Sequence, residues 1–192
     1  MARADARDRD NQVSSEKKLD DLYDLIDGIE IAMLTTRRAD GHLVSRPMAT
    51  QERSATSDLW FVTDVETNKL DELAHDAHVN VAYYKNRTRE WVSVSGLAKI
   101  STDRARIREL YKPDWKAWFG DEGGNRDGGP NDPRLALILV QAHSVTYMKV
   151  DKPRPVVLFE LAKGIATGAP AEIGDVRTLR EPELERERRA EQ

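Results

Sequence analysis

The feature that most constrains the fold is a turn flanked by two runs of β-forming residues. The runs extend from Glu30 to Thr36 and from Leu43 to Gln51, and Ala39-Asp40-Gly41 lies between them. An Asp-Gly pair supplies the positive backbone dihedral that a tight hairpin turn needs. The sequence therefore predicts an antiparallel β-hairpin in this region.

A second hairpin is predicted further along the chain. Runs of alternating apolar and polar residues, Val79 to Tyr84 and Trp91 to Ile100, flank Asn86-Arg87-Thr88. Gly96 inside the second run indicates a bulge or a close approach of another backbone.

Two other regions complete the predicted strands. Leu59 to Thr63 is a short strand, and Leu135 to Val140 with Val145 to Val150 predicts a third strand pair. Successive hairpins favour a mainly β fold, an antiparallel barrel of six or seven strands, over a doubly wound parallel sheet.

Helical spacing occurs only between and around these strands. The first predicted helix follows Ser14 or Ser15 as a cap and ends near Gly28. The others cover Lys69 to Ala77, the segment from the Thr102-Asp103 cap to Tyr111, and about Pro155 to Ala166. We expect these helices to be peripheral to the barrel.

Length and charge distribution predict one folded domain with charged ends. A chain of 192 residues fits a single domain, which we place at residues 14–168. Residues 1–13 form a predicted disordered tail. Residues 169–192 form a predicted charged tail, because Arg and Glu dominate its end and apolar anchors are sparse.

Composition excludes several classes of function. The formal net charge of -4 argues against a general nucleic-acid binder. The absence of cysteine excludes disulfides, thiolate nucleophiles and cysteine-ligated metal centres, so any redox chemistry needs a bound cofactor. The first dozen residues lack an apolar core, so we expect neither a secretory signal nor a membrane span, and the cytoplasm is the default compartment.

Basic and hydroxyl residues around one strand and one helix start predict a phosphate site. Arg46 offers a planar fork of donors, Lys69 a mobile ammonium, and Thr67 a hydroxyl beside the unpaired N–H groups of a helix terminus. Each residue alone is more typical of a solvated surface, or of a helix cap in the case of Thr67. The prediction depends on their combination.

Metal sites are not predicted. The Gly/Asp-rich loop from Asp121 to Asp132 contains four carboxylates but lacks the spacing of a calcium loop, so a flexible lid or a plain loop is favoured. His75 and His78 lack an acidic third ligand in register and are interpreted as surface histidines.

Several motifs, in order along the chain, resemble the pyridoxamine phosphate oxidase superfamily. They are Ser45-Arg46-Pro47-Met48, the strand from Leu59 to Asp64 followed by Thr67-Asn68-Lys69, and Val92-Ser93-Val94-Ser95-Gly96-Leu97-Ala98. Two more, Lys116-Ala117-Trp118-Phe119 and Asn131-Asp132-Pro133-Arg134-Leu135-Ala136-Leu137, resemble its general stress protein (type 26) branch. The resemblance runs from about Lys17 to Gly168.

The resemblance implies an FMN-binding split β-barrel that acts as a homodimer, with two FMN molecules at the subunit interface. By the same resemblance, the cofactor-binding residues are Arg46, Pro47, Met48, Thr63, Asp64, Thr67, Asn68, Lys69, Ser95, Trp115, Trp118 and Phe119. The three aromatic residues would come from the partner subunit and cover the flavin ring. The alternative is that Trp118 and Phe119 fill the dimer core.

The function that the resemblance implies is a flavin-dependent oxidoreductase that uses NAD(P)H or a small redox substrate. No catalytic acid or base is identified in the sequence. A true pyridoxamine phosphate oxidase is disfavoured, because the C-terminal Trp and Arg segment of those enzymes is not found. The alternatives are a non-catalytic flavin-binding stress or storage protein, and a split barrel that binds deazaflavin or haem.

Overall fold

The computed structural model describes residues 10, 12–53 and 58–190. The chain divides into two compact units. The first unit contains the described residues up to Glu30, residues 81–94, and the residues from His143 onward. The second contains residues 31–80 and 95–142.

Seven strands belong to one sheet with peripheral helices. The strands are β1 (Ile31–Arg37), β2 (Leu43–Ala49), β3 (Leu59–Asp64), β4 (His78–Lys85), β5 (Glu90–Ser101), β6 (Leu135–Lys149) and β7 (Asp175–Arg180). Their order is β2-β1-β4-β5-β6-β3, and β7 also pairs with β6. The prediction of a mainly β, antiparallel fold is confirmed, although β3 lies beside β6 instead of its neighbour in sequence.

Six α-helices and one short 3-10 turn accompany the sheet among the described residues. The helices are α1 (Ser15–Asp27), α2 (Asn68–His75), α3 (Arg104–Leu110), α4 (Lys116–Phe119), α5 (Arg154–Thr167) and α6 (Glu181–Ala190), and the 3-10 turn covers Pro113–Trp115. Ser14 caps α1, because its hydroxyl accepts a hydrogen bond from the Lys17 N–H at 3.2 Å. Asp103 likewise caps α3 through the N–H groups of Ala105 and Arg106.

The first hairpin forms as the turn signal predicts. Gly41 has a φ of 86°, a conformation that favours glycine. The register places Arg46 opposite Leu34 and Val44 opposite Thr36. Arg46 therefore lies diagonally across from Thr36, within reach of a long side chain.

Strand β6 corrects one prediction. The two apolar runs at 135–140 and 145–150 were expected to be separate strands, but a single strand extends over Leu135–Lys149. Its first part pairs with β3 and its last part with β7. The intervening residues 141–144, Gln-Ala-His-Ser, contain no Gly, Pro, Asn or Asp to stop the strand. Gly96 is a site of close approach, because a Cβ there would collide with the carbonyl of Gln141.

The C-terminal segment also differs from expectation. Its composition predicts a solvated tail, yet it forms β7 and α6, with Leu179 and Leu184 buried. Both elements contact α1. Two well-placed leucines anchor this charged segment, a signal too sparse to detect from composition.

A buried polar cluster supports the first unit. The Tyr147 hydroxyl donates a hydrogen bond to the Lys18 carbonyl at 2.9 Å, and Lys18 Nζ lies 2.9 Å from an Asp10 oxygen. Asp21 accepts from both Lys17 and Lys149. These pairs explain how a charged face of α1 is buried. Among the described residues, no helix is both long and apolar enough to cross a membrane.

Candidate functional site

A cavity of about 780 Å³ lies in the second unit, between the β1–β2 hairpin and α2. Its walls combine three basic residues with two acidic ones. The lining residues are Arg38, Ala39, Val44, Arg46, Thr67, Asn68, Lys69, Asp71 and Glu72. Four of these, Arg46, Thr67, Asn68 and Lys69, are predicted cofactor-binding residues.

Arg46 is held on one side by a hydroxyl and a carboxylate. Its Nη1 donates to Thr36 Oγ1 at 2.9 Å, and its Nη2 donates to Glu72 Oε2 at 2.5 Å. Thr36 Oγ1 also donates to Glu72 Oε2, at 2.5 Å. Burial alone raises the pKa of Glu72, but the hydrogen bonds from Thr36 and Arg46 outweigh burial and lower it. Glu72 is therefore a carboxylate at neutral pH.

Lys69 lies in the first turn of α2 and is held by two threonines. Its Nζ donates to Thr63 Oγ1 at 2.8 Å and to Thr67 Oγ1 at 3.0 Å. Burial, and then the positive charge of Arg46, lower the pKa of Lys69 below its ordinary value. Two cations are thus kept close together in a partly buried place, an arrangement that a bound anion would stabilise.

The turn before α2 is fixed by its own polar groups. The Asp64 carboxylate accepts the Glu66 N–H at 2.8 Å, and the Asp64 carbonyl accepts the Thr67 hydroxyl at 2.7 Å. Thr67 occupies the N-cap position of α2 but caps no N–H group with its side chain. Its hydroxyl instead links the turn to Lys69.

The donor set fits a phosphate monoester. Arg46 and Lys69 supply charge-assisted hydrogen bonds, and the start of α2 supplies the positive end of a helix dipole. Within the described part of the chain, Thr36 and Glu72 accept the only hydrogen bonds that Arg46 donates. Further N–H groups of its fork therefore remain for a ligand.

Eight of the twelve predicted cofactor residues do not line this cavity, and Pro47, Met48 and Ser95 are three of them. Pro47 is exposed on β2, and the Met48 side chain is buried in the core. Ser95, on β5, accepts a hydrogen bond from the Asn80 side chain at 3.2 Å. Their roles at a flavin stay predictions.

The predicted ring-covering aromatic residues lie in two different environments. Trp115 and Phe119 are buried in the core of the second unit, together with Trp60. Trp115 packs edge-on against Trp60 and Tyr111, with ring centroids 6.2 and 5.4 Å apart. Trp118 is 79% exposed. Of the three, Trp118 alone presents its ring to a partner or a ligand.

The sequence prediction did not include four residues of this site: Thr36, Arg38, Asp71 and Glu72. One signal for Glu72 exists, because it follows Lys69 by three residues on the same helix and so shares its face. Thr36 was identifiable only with the hairpin register, which places it diagonal to Arg46.

The loop between α4 and β6 is cross-linked by hydrogen bonds and ion pairs, which favours a plain loop over a flexible lid. The buried Arg134 guanidinium pairs with both oxygens of Asp132, at 3.1 and 2.7 Å. It also donates to the carbonyls of Phe119, Gly120 and Arg126. The hydrogen bonds that Arg134 donates to the Asp132 carboxylate lower the pKa of Asp132 to about 2.

The same loop supports the turn before α2. The Arg134 carbonyl accepts the Val65 N–H at 2.8 Å. Arg126 pairs with both oxygens of Glu66, at 3.0 and 3.1 Å. The loop therefore helps to position the segment that carries Thr67 and Lys69.

Fold and site together define a class: an antiparallel sheet of the split-barrel type, with a cavity lined by Arg38, Arg46 and Lys69 where the first hairpin meets a helix start. The family model described as pyridoxamine 5'-phosphate oxidase like matches residues 17–172. Protein bli-3 of Neurospora crassa is 38% identical over 179 residues, covering 92% of this chain and 86% of bli-3. The chain belongs to the pyridoxamine 5'-phosphate oxidase-like family.

Solved structures agree with this assignment. The general stress FMN/FAD binding protein of Xanthomonas citri is 27% identical, with a TM-score of 0.53 over 66% of this chain and 84% of that one. General Stress Protein 26 of Bacillus anthracis is 22% identical and shares the fold, with a TM-score of 0.57 over 67% of this chain and 92% of that one. The resemblance found in the sequence is confirmed.

Proposed function

We propose that this protein binds FMN, with the phosphate in the cavity between the first hairpin and α2, and acts as a flavin-dependent oxidoreductase. The observation that carries the proposal is the pair of cations at this cavity, Arg46 and Lys69, each held in place by hydroxyl groups. Burial and then the nearby positive charge of Arg46 lower the pKa of Lys69, so its charged form is costly. A phosphate dianion would offset that cost.

Family membership supports the choice of a flavin over other phosphorylated ligands. The Xanthomonas citri relative is described as an FMN/FAD binding protein. A terminal phosphate monoester, as in FMN, presents more charge and more free oxygens to Arg46 and Lys69 than a phosphodiester does. FMN is therefore favoured over FAD.

The protein's own part is to bind and orient the cofactor. Arg46, Lys69 and the N–H groups at the start of α2 would hold the phosphate, while Thr63 and Thr67 keep Lys69 in place. A bound flavin supplies the redox chemistry by accepting and passing on electrons from NAD(P)H or a small organic donor.

The proposal includes a homodimer. On the hairpin, Ile31 and Met33 are exposed on the same face as Pro47 and Ala49, so the end of this face away from the turn is apolar. A contiguous apolar face of this kind marks an interaction surface. A second copy of the chain is the occupant that the predicted subunit interface requires.

The phosphate claim is tested by comparing FMN with riboflavin, which carries the same ring without the phosphate. Fluorescence-quenching titrations would give the dissociation constant (Kd) of each ligand for the wild type, Arg46→Ala, Lys69→Ala and the double variant. We expect the wild type to prefer FMN, and each substitution to weaken FMN by about 2 kcal/mol while leaving riboflavin unchanged. Arg87→Ala, which is exposed and outside the cavity, is the matched control.

The outcomes separate the candidate functions. Unchanged FMN binding by the double variant would refute the phosphate site. FMN binding without faster NAD(P)H oxidation would favour the non-catalytic flavin-binding alternative. If neither flavin binds, absorption spectra after addition of haem or a deazaflavin would decide between those ligands.

A further inference from the structure

Glu72 introduces a negative charge at the place where the proposed function puts a phosphate. Its carboxylate lies 2.5 Å from Arg46 Nη2 and 2.5 Å from Thr36 Oγ1. The side chains of Arg46 and Glu72 are only 18% and 12% exposed. The ion pair is therefore shielded from solvent, where charges act more strongly than at an open surface.

The charges around the cavity nearly balance. Arg38, Arg46 and Lys69 contribute three positive charges, and Asp71 and Glu72 contribute two negative ones. Asp71 is exposed and so is screened by solvent and salt, whereas Glu72 is directly bonded to the phosphate-binding arginine. Glu72 is thus the acidic residue with the larger effect on a bound anion.

Glu72 has two opposing effects on this arginine. Together with Thr36, it fixes the guanidinium in one orientation, which lowers the entropy lost when a ligand is bound. Its charge also offsets part of the attraction between Arg46 and an anion. Arg46 therefore binds more weakly than a fully uncompensated arginine in the same place would.

We propose that Glu72 sets how strongly this cavity holds a phosphate, so that the phosphorylated ligand is exchangeable instead of permanently bound. The inference rests on the proposed function and adds a determinant of affinity to it. The kind of ligand is unchanged: a phosphate monoester such as FMN.

The test uses Glu72→Gln, which removes the charge but keeps an oxygen to accept from Arg46 and Thr36. We expect it to bind FMN about tenfold more tightly and to release it more slowly, with riboflavin affinity unchanged. Glu72→Asp keeps the charge and is expected not to tighten FMN binding. Asp71→Asn removes a charge from the same helix at an exposed position and is expected to change FMN affinity about twofold or less.

Circular dichroism melting of each variant, without ligand, checks that the fold is kept. FMN affinity of Glu72→Gln equal to or weaker than that of the wild type would overturn the inference, provided that the wild type still prefers FMN to riboflavin. In that case the proposed function stands and Glu72 only holds Arg46. A wild type that does not distinguish FMN from riboflavin would reject the proposed function and this inference together.

Discussion

One proton on Lys69 decides whether this residue joins Arg46 as a cation beside a phosphate bound at the cavity. Burial and the neighbouring Arg46 lower the pKa of Lys69 in the free protein. A bound phosphate favours the charged form and raises this pKa again. FMN binding is therefore linked to proton uptake in the pH range between the two pKa values.

We expect the affinity for FMN, relative to riboflavin, to fall as the pH rises, beginning below pH 10.5, the ordinary pKa of lysine. The ratio isolates the phosphate because both flavins share the same ring. Lys69→Arg keeps its charge at any pH in this range, so its ratio should stay level. Titrations from neutral pH to pH 10 give the ratio of FMN to riboflavin affinity for the wild type and for Lys69→Arg. A parallel fall of this ratio in the two proteins would contradict the role of Lys69.

The predictability of the site differs between its residues. Arg46 and Lys69 were identified because a strand arginine and a helix-start lysine are recognisable by type and position. Glu72 was not, since a glutamate three residues after a lysine is usually a surface pair. Its role depends on a tertiary contact, the approach of Thr36 and Arg46 to α2, which no local pattern encodes.

At the scale of elements, the loop between α4 and β6 owes its order to one buried ion pair. Gly120, Gly123, Gly124 and Gly128 have positive φ angles, so the backbone is free to wrap around Arg134. Asp132 and Arg134 are almost completely buried. Removing one partner of such a pair leaves an uncompensated buried charge.

Asp132→Asn is expected to destabilise the protein by about 3 to 5 kcal/mol at pH 7. The pKa of Asp132 is about 2 in the folded protein, below its ordinary 3.8, so the unfolded chain binds the proton more readily. Its contribution to stability is complete above pH 3.8 and is lost as the pH falls towards 2. Urea unfolding should show that the difference in free energy of unfolding between Asp132→Asn and the wild type is smaller at pH 2.5 than at pH 7. An equal difference at the two pH values would contradict this account.

Two elements show where sequence patterns fail at this scale. The residues between the two apolar runs of β6 resemble a turn in hydropathy, but the strand continues through them and Ala142 among them is buried. Strand β7 is rich in charge, which is common for strands that must not pair with other molecules. It pairs with β6 in a defined antiparallel register, which the composition of β7 alone does not predict.

At the scale of the whole molecule, helix α5 requires a partner surface. Val156, Leu158, Phe159 and Ile165 are all exposed, from 42% to 87%. Exposed large apolar side chains clustered on one helix mark an interaction surface, although α5 also carries the Glu160–Lys163 ion pair. A homodimer interface covers roughly 800 Å² on each partner, about 65% of it apolar, so it needs rows of large apolar side chains such as this one. We propose α5 as a second surface for the homodimer contact, to be tested beside the hairpin face.

The prediction is that the wild type has twice the mass of the 21.8 kDa chain in solution at micromolar concentration. Phe159→Asp combined with Ile165→Asp should give monomers, because two charges in an apolar interface are costly to bury, while the fold of each chain is kept because both side chains are exposed within it. Arg87→Asp, in an exposed turn, controls for added negative charge and should remain a dimer. Light scattering after size-exclusion chromatography gives the masses. A monomeric wild type would reject the dimer, and a dimeric double variant would place its interface away from α5, with the hairpin face as the next surface to test by Met33→Asp.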